Sequence, residues 1–283
     1  MNAYLVSHNG LGDNLFMIGA IRFLTKYYDK VYFLCKNKYH SNVELFFKDN
    51  ENIVCLPFNE YNENNDYDEK NQLRNIIQEK YSNNDNDIFI CGCHKTYLQS
   101  KIRNKLFLEC IILNKNYNID FDTITTDNYN FIENFYKDIR LNLTVFYDYF
   151  TLPEFVESME LYKSVEKYNI IFVQIKSSCG KTLNVNNLLN KYLNDEKTIL
   201  ICNDFNLYDS NSNSKDIKMK FKLCENFVFC KIVYLIDTIK NSNEIYIIDS
   251  CLIGLVLPFL KQNLLKAEIV RIIRRELVKN NII

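Results

Sequence analysis

The residues best suited to chemistry lie in two glycine-bearing loops. The first is Ser7-His8-Asn9-Gly10-Leu11-Gly12-Asp13-Asn14, between an apolar run and an amphipathic segment that starts at Leu15. Gly10 and Gly12 permit positive φ and the close approach of a ligand, and a helix start beyond them offers free N–H groups. The carboxylate of Asp13 repels the phosphates that such loops usually hold, so it has two readings. Either Asp13 or Asn14 caps the helix, or Asp13 is a catalytic base at the rim of a cleft, with His8 beside the same turn as its substitute. The second loop is Lys176-Ser177-Ser178-Cys179-Gly180-Lys181-Thr182. The hydroxyls of Ser177, Ser178 and Thr182, the N–H groups of a helix start and the ammonium of Lys176 or Lys181 suit a phosphate.

Each loop invites a nucleotide motif that the spacing leaves incomplete. The dinucleotide fingerprint wants a glycine where Leu15 stands and an acid at the end of the next apolar run, 31–35; neither is present, so a nicotinamide cofactor is not expected. Gly180-Lys181-Thr182 ends like a P-loop, but Ile175 occupies the position of its first glycine. Because 245–249 mimics a Walker B strand, an ATP-dependent phosphotransferase stands as an alternative. Cys91-Gly92-Cys93-His94-Lys95 is one local cluster without a second ligand pair, so no metal is expected there. His94 and Lys95 are either solvated loop residues or acceptor-side groups at the carboxyl edge of a sheet.

Positioning these loops requires strands that end at them. Residues 3–7 read as a buried strand, and Phe16, Gly19, Ala20, Phe23, Leu24 and Tyr27 recur at helical spacing. The alternation continues with strand 31–35, helix 41–48, strand 53–56 stopped by Pro57, a mobile acidic loop over 59–68, a helix ending at Tyr81 and strand 87–91. Helices are expected over 97–113 and 129–141, and the aromatic stretch 142–167 is the bridge between halves. A second set follows: strand 170–175, helix 184–193, strand 198–202, helix 225–240, strand 245–248 and helix 251–260. Residues 267–273 form a last strand or a helix that crosses back, ending in a solvated basic face of Arg271, Arg274, Arg275 and Lys279. Repeated βα units with near-continuous apolar strands imply an α/β fold with parallel sheets. The expected domains are 1–150 and 151–283.

His8-Asn9-Gly10-Leu11-Gly12-Asp13-Asn14-Leu15, followed by Ile21-Arg22-Phe23-Leu24 and Val31-Tyr32-Phe33-Leu34, resembles the opening of heptosyltransferase-type glycosyltransferases. The resemblance implies a GT-B architecture, two Rossmann-like domains facing across a cleft, with an N-terminal acceptor-side domain, where Asn14, His94 and Lys95 would stand on the acceptor side, and a C-terminal nucleotide-sugar domain. It implies that Asp13 is the general base on the acceptor hydroxyl, and that the 176–182 loop holds the donor's diphosphate, with Lys181 offsetting leaving-group charge and Lys176 its local rival. The family's later motif, Asp-Thr/Ser-Gly-Leu-x-His-Leu, is matched by Asp249, Ser250, Leu252 and Leu255, while Cys251 replaces the glycine and Gly254 the histidine. Asp249 and Ser250 would then meet donor hydroxyls or phosphate. The implied reaction transfers a sugar from a nucleotide-diphosphate sugar to a glycan or other hydroxyl acceptor, with inversion and without a metal or cofactor; a non-catalytic GT-B-like scaffold is the further alternative.

Composition limits the setting. At 283 residues, with 47% hydrophobic and 14% aromatic residues, the chain can build one large or two ordinary cores. A net charge of -1 provides no basic field for nucleic acid. Ten cysteines without framework spacing, no secretory signal and no 18-residue apolar span lead us to expect a reduced, cytoplasmic protein without membrane insertion. The abundance of Asn, Lys, Ile and Tyr is that of an AT-rich genome, such as a giant virus's, in which case the compartment is the host cytoplasm.

Overall fold

A computed structural model describes residues 1–8, 10–83, 85–101, 126–177, 180–204 and 226–273, apart from the side chains of 126–130. Asn9, Ser178, the expected helix beyond 101 and the basic residues Arg274, Arg275 and Lys279 lie outside the described residues. The chain divides between Pro153 and Glu154 into two compact units.

The first unit holds strands β1 (Asn2–Val6), β2 (Lys30–Lys36), β3 (Ile53–Phe58) and β4 (Asn86–Ile90) in the order β3-β2-β1-β4, all parallel. Val6 lies opposite Leu34 on one side and Ile90 on the other. Helices α1 (Leu11–Phe16), α2 (Ile18–Leu24), α3 (Asn37–Val43), α4 (Glu69–Tyr81), α5 (Thr126–Asp138) and α6 (Thr144–Asp148) accompany the sheet. On one face Tyr4, Val6, Ile88 and Ile90 pack with Leu73 and Ile77 of α4. Strands buried on both faces explain why these segments read as apolar runs rather than alternating ones.

Several expectations need correction. The first helix starts at Leu11, with Gly10 as its N-cap, so neither Asp13 nor Asn14 caps it from outside. It also breaks at Met17, and the cause is a tyrosine from far along the chain. The buried Tyr136 hydroxyl donates to the Phe16 carbonyl at 2.8 Å and accepts the Ala20 N–H at 3.2 Å, inserting itself into one i→i−4 link. Strand β3 runs through Pro57, opposite Cys35, because β3 is an edge strand where a missing N–H costs no ladder bond. The 61–67 loop is closed by an antiparallel bridge between Tyr61 and Tyr67. Residues 97–101 are not helical: Lys101 exchanges backbone hydrogen bonds with Ile88.

The second unit contains α7 (Val156–Lys163), β5 (Asn169–Gln174), α8 (Asn186–Tyr192), β6 (Thr198–Cys202), α9 (Ile236–Asn241), β7 (Glu244–Ile248), α10 (Ile253–Lys261) and β8 (Ile269–Ile273). Its sheet is also parallel, in the order β6-β5-β7-β8, so 267–273 supplies a strand and not a returning helix. Ile171, Val173, Leu188, Leu200, Tyr246 and Ile248 share one core with Ile273. The expected helix over 225–240 starts late: 226–231 turns on itself, with the Cys230 thiol donating to the Phe227 carbonyl at 3.3 Å, and helix runs from Ile232, as a 3-10 turn to Leu235 and as α-helix from Ile236.

Gly19 is the tightest helix contact in the first unit. A Cβ there would stand 2.5 Å from the Val145 carbonyl oxygen and 2.8 Å from the Phe146 Cα, both backbone atoms of α6. Gly19→Ala should therefore destabilise the protein by about 1–3 kcal/mol, read as a lower urea midpoint, although alanine is the better helix former.

Candidate functional site

The connections decide where loops can leave a crevice. In the first sheet the chain passes from β1 to β2 to β3 on one side and returns to place β4 on the other, so the loops after β1 and β4 lie side by side at the carboxyl edge. In the second sheet β6 lies to one side of β5, and β7 followed by β8 to the other, so the loops after β5 and β7 diverge there. Such switch points are where open α/β sheets bind ligands. The glycine turn and the Cys91-to-Lys95 cluster share the first; the 176–182 loop and the Asp249-Ser250 pair share the second.

Asp13 is half-buried in the first turn of α1 and reaches back, so that the Gly10 N–H donates to its Oδ2 at 3.0 Å. A Cβ on Gly10 would lie 2.6 Å from that oxygen, so a larger residue there would displace the Asp13 carboxylate. Gly12 stands inside the same turn, and Asn14 is wholly buried with neither amide atom hydrogen-bonded, so Asn14 is not a surface group on the acceptor side.

His8 is not a spare base. Its Nε2 accepts the Cys93 N–H at 2.8 Å, which assigns the proton of the neutral ring to Nδ1. The ring stacks on Phe131 at 5.6 Å and packs against Phe135 at 4.8 Å. Burial holds its pKa below the ordinary histidine value, against the upward pull of Asp138 and Glu69. Gly92, at φ +69°, makes room: a Cβ there would be 2.5 Å from the imidazole.

His94 is buried, correcting its reading as a crevice-facing or solvated residue. Its Nδ1 bonds the Tyr97 hydroxyl and its Nε2 lies 3.4 Å from Glu69 Oε1. Burial drives its pKa down to about 4, so the ring is neutral at physiological pH. Glu69 belongs to a chain of charges that sequence reasoning missed. Lys36, at the end of β2, places its ammonium 2.7 Å from Glu69 and 2.8 Å from Glu60, and Lys38 lies 2.6 Å from Glu60. Burial works against the Lys36 charge, but the two carboxylates outweigh it and raise its pKa. Lys95 is exposed and paired with Asp138 at 2.6 Å, and the other oxygen of Asp138 accepts the Gly92 N–H at 2.8 Å.

In the second unit the 176–182 segment is a hairpin turn. Lys176 and Thr182 form an antiparallel bridge; the Ser177 N–H donates to the Lys181 carbonyl at 2.9 Å and the Lys181 N–H to Ser177 Oγ at 3.1 Å. Gly180, at φ +81°, closes the turn. Helix α8 starts only at Asn186, so Gly-Lys-Thr does not open a helix as it does in a P-loop, and the expected helix-start N–H groups are used within the turn. The side chains of Lys176, Lys181 and Thr182 are exposed, whereas Ser177 is buried. Asp249 and Ser250 are nearly buried just before α10, where the Ser250 carbonyl accepts the Ile253 N–H at 3.1 Å. Cys251, in the glycine's place, receives the Gln174 Nε2 donor at 3.6 Å, while Gln174 Oε1 is buried without a partner. Gln174 ends β5, a position that only the strand order marks as part of the site.

Among the described residues no three His, Cys, Asp or Glu side chains assemble a metal site, and no helix is long and apolar enough to cross a membrane. The Asp85-Asn86-Asp87 sequence lies at the amino end of β4, away from the loops that follow the strands, and the Tyr28 hydroxyl donates to Asp87 at 2.6 Å.

These features define an α/β protein with two parallel four-stranded sheets, each gathering polar loops at its switch point. No family model and no curated protein matches the chain. The solved structure of the glycosyl transferase family 9 from Veillonella parvula DSM 2008 is similar, with a TM-score of 0.51 over 89% of this chain and 76% of that one. The two sequences are 12% identical, so what they share is the fold.

The neutral, buried His94 gives stability a defined pH dependence. An unfolded imidazole titrates near 6.5 and the folded one at about 4, so between those values the unfolded chain binds the extra proton and stability is lost as pH falls. The urea midpoint should drop from pH 6.5 to 4, and His94→Gln should flatten that drop.

Proposed function

We propose that the protein is a glycosyltransferase that moves a sugar from a nucleoside-diphosphate sugar to an acceptor hydroxyl in glycan or glycoconjugate synthesis. One observation carries the reading: two switch-point edges in one chain bear complementary chemistry, a carboxylate in a glycine turn on the first and exposed ammonium groups on a tight hairpin on the second. The fold shared with a glycosyltransferase structure supports it.

Displacement at an anomeric carbon builds positive charge on the sugar and negative charge on the departing diphosphate, while the acceptor hydroxyl sheds its proton. In this reading Asp13, whose Oδ2 accepts the Gly10 N–H, removes that proton. Lys181 and Lys176 take up diphosphate charge, and Asp249, Ser250, Ser177 and Thr182 line the donor side, as Ser178 does in the sequence reading. The transfer inverts the anomeric centre, and the positive charge of lysine serves where other transferases use a metal. A second reading, a nucleotide-sugar-binding protein without catalysis, is favoured by Cys251, whose buried thiol stands where the resembling family keeps a glycine.

Thermal-shift titrations with UDP-, GDP-, ADP- and TDP-sugars identify the donor, and product formation with it then separates the readings. Asp13→Asn should cut turnover by about a hundred- to ten-thousand-fold with donor affinity retained. Lys181→Ala should weaken donor binding by about ten- to a hundred-fold. Donor binding without turnover in the wild type selects the binding-protein reading; turnover indifferent to Asp13→Asn removes Asp13 as the base.

A further inference from the structure

The acidic stretch between β3 and α4 is a built platform. Beyond the Tyr61–Tyr67 bridge, Asn62 Oδ1 accepts the N–H groups of Asn64 at 2.9 Å and Asp66 at 3.1 Å, and the Asp68 N–H donates to the Glu60 carbonyl at 2.8 Å. This turn holds two tyrosine rings in water, Tyr61 at 50% and Tyr67 at 65% exposure. Their centroids are 5.9 Å apart and their planes 81° apart, so they form a right-angled corner. The Tyr67 hydroxyl bonds Glu69, and the Lys36 ammonium lies 5.9 Å from its ring centre. Glu69 in turn meets His94, whose ring centroid is 6.3 Å from that of His8 in the glycine turn. The corner and the glycine turn that carries Asp13 therefore stand on the same edge of the first sheet, linked through Glu69, His94 and His8.

Rings fixed in solvent by a rigid turn mark a surface that is covered when a ligand arrives. We propose that Tyr61 and Tyr67 form the acceptor subsite of the transferase reading above, on which this inference rests, and that the acceptor is an uncharged saccharide. A pyranose presents C–H groups on its faces and hydroxyls around its rim. The faces pack against the two rings, and the rim meets the exposed amide and carboxylate side chains of Asn64, Glu63 and Asp66. Those carboxylates, with Asp68, repel sulfated, phosphorylated or sialylated acceptors. Lys36 and Lys38 do not reverse this preference, because Glu60 and Glu69 already engage them.

The test is a glycan array of neutral, sulfated and sialylated oligosaccharides, read for the wild type, Tyr61→Ala/Tyr67→Ala and Tyr61→Phe/Tyr67→Phe, with circular dichroism confirming the fold of each. Thermal shifts with UDP, GDP, ADP and TDP are recorded alongside. Retention of neutral glycans by the wild type, reduced about tenfold or more by the alanine pair and largely kept by the phenylalanine pair, is expected, with nucleotide shifts equal in all three. The proposal is overturned by a wild type that retains no glycan, by one that prefers anionic glycans, or by an alanine pair that binds as well as the wild type. It is equally overturned if the alanine pair loses the nucleotide shift, because the rings would then be stacking a base. A nucleotide shift without glycan retention removes this subsite and leaves the transferase reading intact. Ring-dependent glycan retention without any nucleotide response keeps the saccharide site and removes the transferase reading.

Discussion

A strand paired on both sides in a parallel sheet must hand its chain to a connection that passes over one face. When the next strands build outward on one side and a later strand fills the other, the two connections leave in opposite directions. The backbone at those two strand ends then has no neighbouring loop to cover it. Among the described strands β5 with β7 meets that condition, whereas the segment after β4 packs against the segment after β1, with the Cys93 N–H donating to His8. The glycine turn, the Cys91-to-Lys95 segment, the lysine hairpin and the Asp249-Ser250 pair are the segments that leave those four strands.

The two edges solve the problem of polar groups near a core differently. On the first, ionisable side chains are buried and must be matched. Lys36 is held by two carboxylates, and His94 is kept neutral between Tyr97 and Glu69. His8 is fixed by a backbone N–H from Cys93. Such a network tolerates little rearrangement, since removing one partner leaves another charge buried alone. On the second edge the backbone satisfies itself. The N–H groups of Ser177, Gly180 and Lys181 bond within the turn, and the side chains of Lys176 and Lys181 are exposed. The first edge therefore matches its charges side chain to side chain, and the second presents lysines at its surface.

Glycine has a different duty at each place where space decides. Gly10 lets Asp13 fold back on the turn, Gly92 admits the His8 ring, and Gly19 admits the backbone of α6. Of these, only Gly10 announces itself by its neighbours in the sequence. Gly92 and Gly19 are explained by residues 84 and more than 120 positions away, which no local pattern contains.

The sequence by itself determined the strands and their kind. Apolar runs of β-branched and aromatic residues bounded by polar turns located seven of the eight described strands within two residues at either end, leaving 267–273 open between strand and helix, and their lack of alternation marked sheets buried on both faces. It also located Asp13, Lys176, Lys181, Asp249 and Ser250 at strand ends. The tertiary structure alone decided where helices begin and break, because the Tyr136 hydroxyl, not helix propensity, interrupts the chain at Met17. It alone decided that β3 is an edge able to carry Pro57, that Gly-Lys-Thr closes a hairpin, and that His94 is a buried neutral ring and His8 a half-buried one held by a backbone N–H. Strand identity is written in local composition, but the environment of a side chain is set by whichever distant residues pack against it.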